Sequence, residues 1–155
     1  MRVHSVTVCK DRVDVMVRIE DGERARTAGD AVLAARVLEL LPGLERHVCE
    51  NDEGKAFVDE LADTEVPHLF EHTIIELMTC AGSPRGLKGE TRWDFQRDGH
   101  GTFRVSVEYD DDLVCLGAIK LAGKVMDHVL DEGPCPDLPR EIAHLRELRI
   151  QECVS

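Results

Sequence analysis

Apolar and β-branched positions alternate with polar ones through the first eighteen residues. Val3, Ser5, Thr7 and Cys9 alternate with His4, Val6 and Val8, and then Val13, Val15 and Val17 with Asp14, Met16 and Arg18. Period two over short β-branched runs predicts two strands, and the polar break Lys10-Asp11-Arg12 joins them as a hairpin. The period then lengthens. Over residues 27–41, Ala31, Val32, Ala35, Leu38 and Leu41 recur at three- and four-residue steps, an amphipathic helix ended by Pro42-Gly43. A connector follows to residue 51, with a short extended piece at His47-Val48-Cys49. A short helix is predicted over residues 55–61 and a strong one over residues 65–80. Thr64 is positioned to cap the second, and Pro67 falls in its first turn, where a missing N–H costs little. Ala81-Gly82-Ser83-Pro84 stops that helix. Strands are predicted over residues 91–97 and 101–110, a long helix to residue 131 behind Asp110-Asp111-Asp112, and a last helix over residues 141–152. The order ββαα, ββα, α predicts an α+β fold: a mostly antiparallel sheet with helices packed on one face, in one domain over residues 1–155.

The composition, 43% hydrophobic and 32% charged over 155 residues, is that of a soluble chain with a core. A net charge of −12 opposes phosphate backbones and anionic membranes, so neither nucleic acid nor a membrane is expected as a partner. A cationic ligand or a metal suits it better, and a homo-oligomer stays open. No run approaches the ~18 apolar residues of a membrane span, and the first residues lack the apolar core of a secretory signal, so the expected compartment is the cytoplasm. The six cysteines are widely spaced with no Cys-x-x-Cys, which predicts reduced, mostly buried thiols, Cys80 and Cys115 among them.

The chemistry centres on His68-Leu69-Phe70-Glu71-His72. Residues four apart share a helix face, so His68 and His72 can hold one ion between them. Glu71, beside them, can take a proton from an attacking water. A catalytic zinc needs a third protein ligand and one open position. Glu76 is two turns from His68, about 12 Å along the axis, which suits support of the ligands better than ligation. Glu108, near the end of a strand, is the favoured third ligand. His4 and His47 look isolated, His100 falls in a turn within possible reach of the site, and His128 and His144 are expected on helix surfaces. The glycine-rich loop over residues 85–91 and the residue after it carry Arg85, Lys88 and Arg92; Arg85 and Arg92 are candidates to anchor a substrate carboxylate.

With those residues in place, the chain resembles the N-terminal domain of cyanophycin synthetases. The stretch 41–49 ending at Cys49, the motif 68–72 followed by Ile75-Glu76-Leu77, the loop residues Ala81-Gly82, Pro84, Gly86 and Glu90-Thr91, and Val107-Glu108-Tyr109 carry the resemblance. Met78 departs from it, standing where the family has glutamine. The resemblance implies a metallohydrolase-like sandwich of the insulinase and S-ribosylhomocysteinase kind, with the motif helix against the sheet and Glu108 as ligand. It also implies binding, and in some members cutting, of a polymer bearing arginine side chains. Neither ATP-driven ligase domain of such synthetases falls within these residues, so the expectation is a free-standing relative or an excised fragment. The expectation is a Zn2+-dependent hydrolase of peptide or isopeptide bonds acting on a cationic peptide polymer. The rivals are a non-catalytic accessory domain that binds polymer or protein, and a closed structural zinc site.

Overall fold

The computed structural model describes residues 1–49 and 54–154, with side chains described to residue 149. The end of the predicted connector, at residues 50 and 51, and the Cys153 thiol lie outside the described residues. The fold is α+β, with four strands and, among the described residues, six α-helices.

Strands β1 (Arg2–Val8) and β2 (Arg12–Arg18) form the predicted hairpin. The sheet continues through β4 (Thr102–Glu108) to β3 (Gly89–Arg92), in the order β1-β2-β4-β3, with every neighbouring pair antiparallel. Val13, Val15 and Val17 face Val107, Val105 and Phe103 across β2 and β4, and all six are buried. Arg104, Ser106 and Glu108 alternate onto the other face. In β1 the register shifts between Val3 and Ser5, a bulge that aligns Val3, Val6 and Val8 with the core-facing valines of β2. The plain alternation expected for that strand therefore breaks at His4.

Helix α3 (Val66–Cys80) packs against β3 and β4 on one side and against α5 (Asp112–Asp131) on another. Twelve of its fifteen residues are buried, including Glu71, His72, Thr73 and Glu76. Around it lie α1 (Ala31–Leu40), a 3-10 turn (Pro42–Arg46), the one-turn α2 (Phe57–Glu60) and α6 (Leu138–Val154).

Two boundaries and one cap differ from expectation for a local polar reason, and the last helix begins at Leu138 instead of residue 141. Helix α1 starts at Ala31 because the Asp30 carboxylate accepts from the Leu33 N–H; Thr27 is instead buried, its hydroxyl donating to the Leu61 carbonyl. The strand expected over residues 91–97 ends at Arg92, since Asp94 caps a short helix, α4 (Phe95–Asp98). Thr64 does not cap α3: Glu65 occupies the cap position without a side-chain bond. The Thr64 hydroxyl is 2.8 Å from His68 Nδ1 instead.

The described cysteines form no disulfide. Cys49 and Cys115 are buried, Cys9 and Cys80 half-buried and Cys135 exposed. Among the described residues, no helix is long and apolar enough to cross a membrane.

Candidate metal centre

A helix in the middle of a fold has no solvent for its polar side chains, so each buried one needs a partner. On α3 these partners arrive from three separate elements and define the site.

His68 and His72 share one face of the helix, with their Nε2 atoms 3.1 Å apart. The third donor is Cys49, which follows the 3-10 turn. A bridge between Val48 and Ala56 and the bond from Cys49 N–H to the Lys55 carbonyl bring this segment back toward α2. The Cys49 Sγ then lies 3.7 Å from His68 Nε2 and 3.6 Å from His72 Nε2. Among the described residues, these three form the group able to hold a metal ion. A tetrahedral zinc about 2.3 Å from sulfur and about 2.0–2.1 Å from nitrogen would set S and N about 3.6 Å apart and N and N about 3.3 Å apart. The donor atoms stand close to those separations, so the residues present fit the ion. Their outer contacts also fit: the second nitrogen of each ring is engaged, His68 Nδ1 by Thr64 and His72 Nδ1 by His47 at 2.9 Å.

Burial governs the protonation of the group. It pushes the Cys49 thiol up to about 12, aided by the charge of Glu60 and a hydrogen bond to it. It pulls His72 down to about 2, with the neighbouring rings of His68 and His47 adding to the effect, and lowers His68. Both rings are therefore neutral near pH 7, the form that binds metals.

Glu71 reaches the other way, toward the sheet. One oxygen accepts from the Thr91 hydroxyl at 2.5 Å, and the other is 3.9 Å from His72 Nε2. Burial raises it to about 7, against the lowering effect of the Thr91 bond, with the charge of Glu90 adding to the rise. A carboxyl near neutrality is matched to taking and returning a proton at that pH. Glu76 is also buried, with Oε2 2.8 Å from His47 Nε2.

All these residues border one cleft of about 920 Å³. Its walls mix cations, Arg46, Lys55 and Arg85 among them, with carboxylates including Glu60, Glu65 and Glu90.

The expected residues thus divide. His68, Glu71, His72 and Glu76 come together, and Arg85 lines the cleft. Arg92 does not line it; this guanidinium is exposed and pairs with Glu90 at 3.3 Å. Glu108 is not brought to the group either. It sits on the sheet face turned away from α3 and accepts from the Lys88 backbone N–H at 3.0 Å. The alternation of β4 fixes this, because Val107 must face the core. Cys49 stands in the position expected of Glu108.

His47, expected to be isolated, lies in the middle of the site. The available signal was the extended piece His47-Val48-Cys49, whose period of two turns residues 47 and 49 to the same side. The remaining histidines stay apart: His100 packs on Phe95, His128 bonds the Gly133 carbonyl and His144 is exposed beside Glu147.

Residues 14–131, which contain every site residue named here, match the family model described as cyanophycin synthase-like N-terminal domain. A cyanophycin synthetase of Geminocystis herdmanii (strain PCC 6308) is 27% identical over 122 residues. That match covers 77% of this chain but only 14% of the relative's length. With the match extending over well more than half of its residues, the chain belongs to the cyanophycin synthase-like N-terminal domain family.

Proposed function

We propose that this chain is a zinc-dependent hydrolase of peptide or isopeptide bonds. The observation that carries the reading is the convergence of Cys49, His68 and His72 at tetrahedral spacing beside a buried carboxyl, Glu71, held near neutrality. Among the described residues, three protein donors leave one position for solvent or substrate, the pattern of catalytic and not structural zinc. Bound there, the ion would supply Lewis acidity to polarise a carbonyl and acidify water.

The chain's own residues supply the rest. Glu71 takes a proton from the attacking water as its oxygen bonds to the carbonyl carbon. The same carboxyl then gives that proton to the leaving nitrogen as the C–N bond breaks, so no proton or electron is left over. Thr91 holds Glu71 through the 2.5 Å bond, which fixes the carboxylate's direction. Arg85 lines the cleft and suits a substrate carboxylate, while Glu65, also on the wall, suits a cationic side chain.

The relative's name makes cyanophycin the first substrate to try. Incubation of zinc-loaded protein with the polymer should release shorter chains, and Glu71→Gln should abolish release while still binding zinc. Full activity in Glu71→Gln would end the catalytic reading. A zinc-free protein that binds the polymer and never cuts it would favour the accessory-domain reading, with which the family membership is equally compatible.

A further inference from the structure

We propose that His47 and Glu76 are positioning residues that set the tautomer and donor strength of His72. The proposal rests on the metal-site reading above.

His47 Nδ1 and His72 Nδ1 are 2.9 Å apart, and His47 Nε2 is 2.8 Å from Glu76 Oε2. Two ring nitrogens at hydrogen-bond distance share one proton, so one ring donates and the other accepts. A neutral His47 that donated from Nδ1 would turn a bare lone pair at Nε2 on the Glu76 carboxylate. With His72 as donor, His47 accepts at Nδ1 and donates from Nε2 to that carboxylate, and both contacts become bonds. Between the two tautomers of the neutral ring, the carboxylate therefore selects the direction: His72 Nδ1–H to His47, and His47 Nε2–H to Glu76. That choice leaves His72 Nε2 with its lone pair aimed toward Cys49 and His68.

The chain is built into its surroundings. A Cβ on Gly43 would fall 1.7 Å from Glu76 Oε1, so the 3-10 turn has room for the carboxylate only because residue 43 is glycine. Cys80 Sγ donates to the same oxygen at 3.6 Å. Phe57 stacks on His72, with ring centroids 4.0 Å apart and planes 17° from parallel, which fixes the ring's orientation. His68 has a different arrangement. Its Nδ1 faces the Thr64 hydroxyl at 2.8 Å, which can donate or accept, and the Glu60 carboxylate stands farther off at 3.8 Å.

The test is zinc affinity by competition with a chromophoric chelator, together with the visible spectrum of the cobalt-substituted protein. Glu76→Gln keeps the shape and removes the charge; His47→Ala removes the link. Each should weaken zinc binding about 10–100-fold and shift the cobalt bands. The double variant should be no weaker than His47→Ala alone, because Glu76 acts only through His47, whereas Thr64→Val should add its own loss independently. Zinc affinity within twofold of the parent in Glu76→Gln, with an unshifted cobalt spectrum, would overturn the proposal. So would additive losses from the two changes. If His47→Ala fails to fold, Glu76→Gln decides alone. Failure of the parent chain to bind zinc removes the metal site and this proposal together; a binding parent with indifferent variants removes the proposal only.

Discussion

Gly89 on β3 and Glu71 on α3 approach so closely that no side chain fits between them. A Cβ built on Gly89 would lie 2.6 Å from Glu71 Oε1 and 2.7 Å from its Cγ. Glycine at this strand position therefore serves the carboxyl, since a Cβ there would point from the core face of β3 into the helix. Gly89→Ala should push Glu71 off its Thr91 bond or part β3 from α3, at a cost of about 1–3 kcal/mol. Denaturant unfolding gives the stability, and hydrolysis assays should show a loss of at least tenfold with zinc content unchanged. A fully active, equally stable Gly89→Ala protein would show that the contact is dispensable.

Burying Glu71 has a pH signature in the metal-free protein. Its folded value near 7 lies above the ordinary 4.5, so the folded state holds a proton that the unfolded chain has released between those values. Stability from this group therefore falls as pH rises from 4.5 to 7, and is flat above. Glu71→Gln cannot ionise and escapes the penalty. The variant should be more stable than the parent at pH 8 by about 3 kcal/mol, and the difference should vanish toward pH 4.5. Chemical denaturation of both proteins across that range measures it. A pH-independent difference would contradict the assignment.

Metal uptake should be driven by pH through Cys49. Its thiol, pushed up to about 12, is protonated at neutrality and must lose that proton to bind. His68 and His72 are already neutral and contribute none above pH 6.5. Zinc binding should then release about one proton, and apparent affinity should rise about tenfold per pH unit between pH 7 and 9. Calorimetry in buffers of differing ionisation enthalpy counts the proton. A pH-independent affinity would exclude Cys49 as a ligand.

Phe57 links the core to the site. It is fully buried and stacks on His72. Phe57→Leu keeps most of the volume, so the expected loss of stability is about 1 kcal/mol. Without the flat ring, His72 gains freedom, and zinc affinity should drop severalfold in the same competition assay. Unchanged affinity would make Phe57 a core residue only.

The hairpin, α3 and α5 were legible because valines at period two and apolar residues at three- and four-residue steps answer directly to a sheet face and a helix face. Position along α3 also put His68, Glu71 and His72 together, since one helix fixes their spacing. Contacts between elements were not legible. Cys49 is 19 residues before His68, and contacts remote from α3, the Val48–Ala56 bridge and the Cys49–Lys55 backbone bond among them, bring it there. Glu108 has the right chemistry but the wrong parity: its neighbour Val107 claims the core face. Asp94 looked like part of a strand because a cap and a strand-end polar residue read alike until the Arg97 N–H bonds to it.

The most direct measurement is the metal content of the protein purified without chelator and then equilibrated with zinc, beside Cys49→Ser and His68→Ala variants. One zinc per chain in the parent, with none retained by either variant, is the predicted result. A parent that takes up no zinc, or variants that hold it as well as the parent, would contradict the three-donor centre.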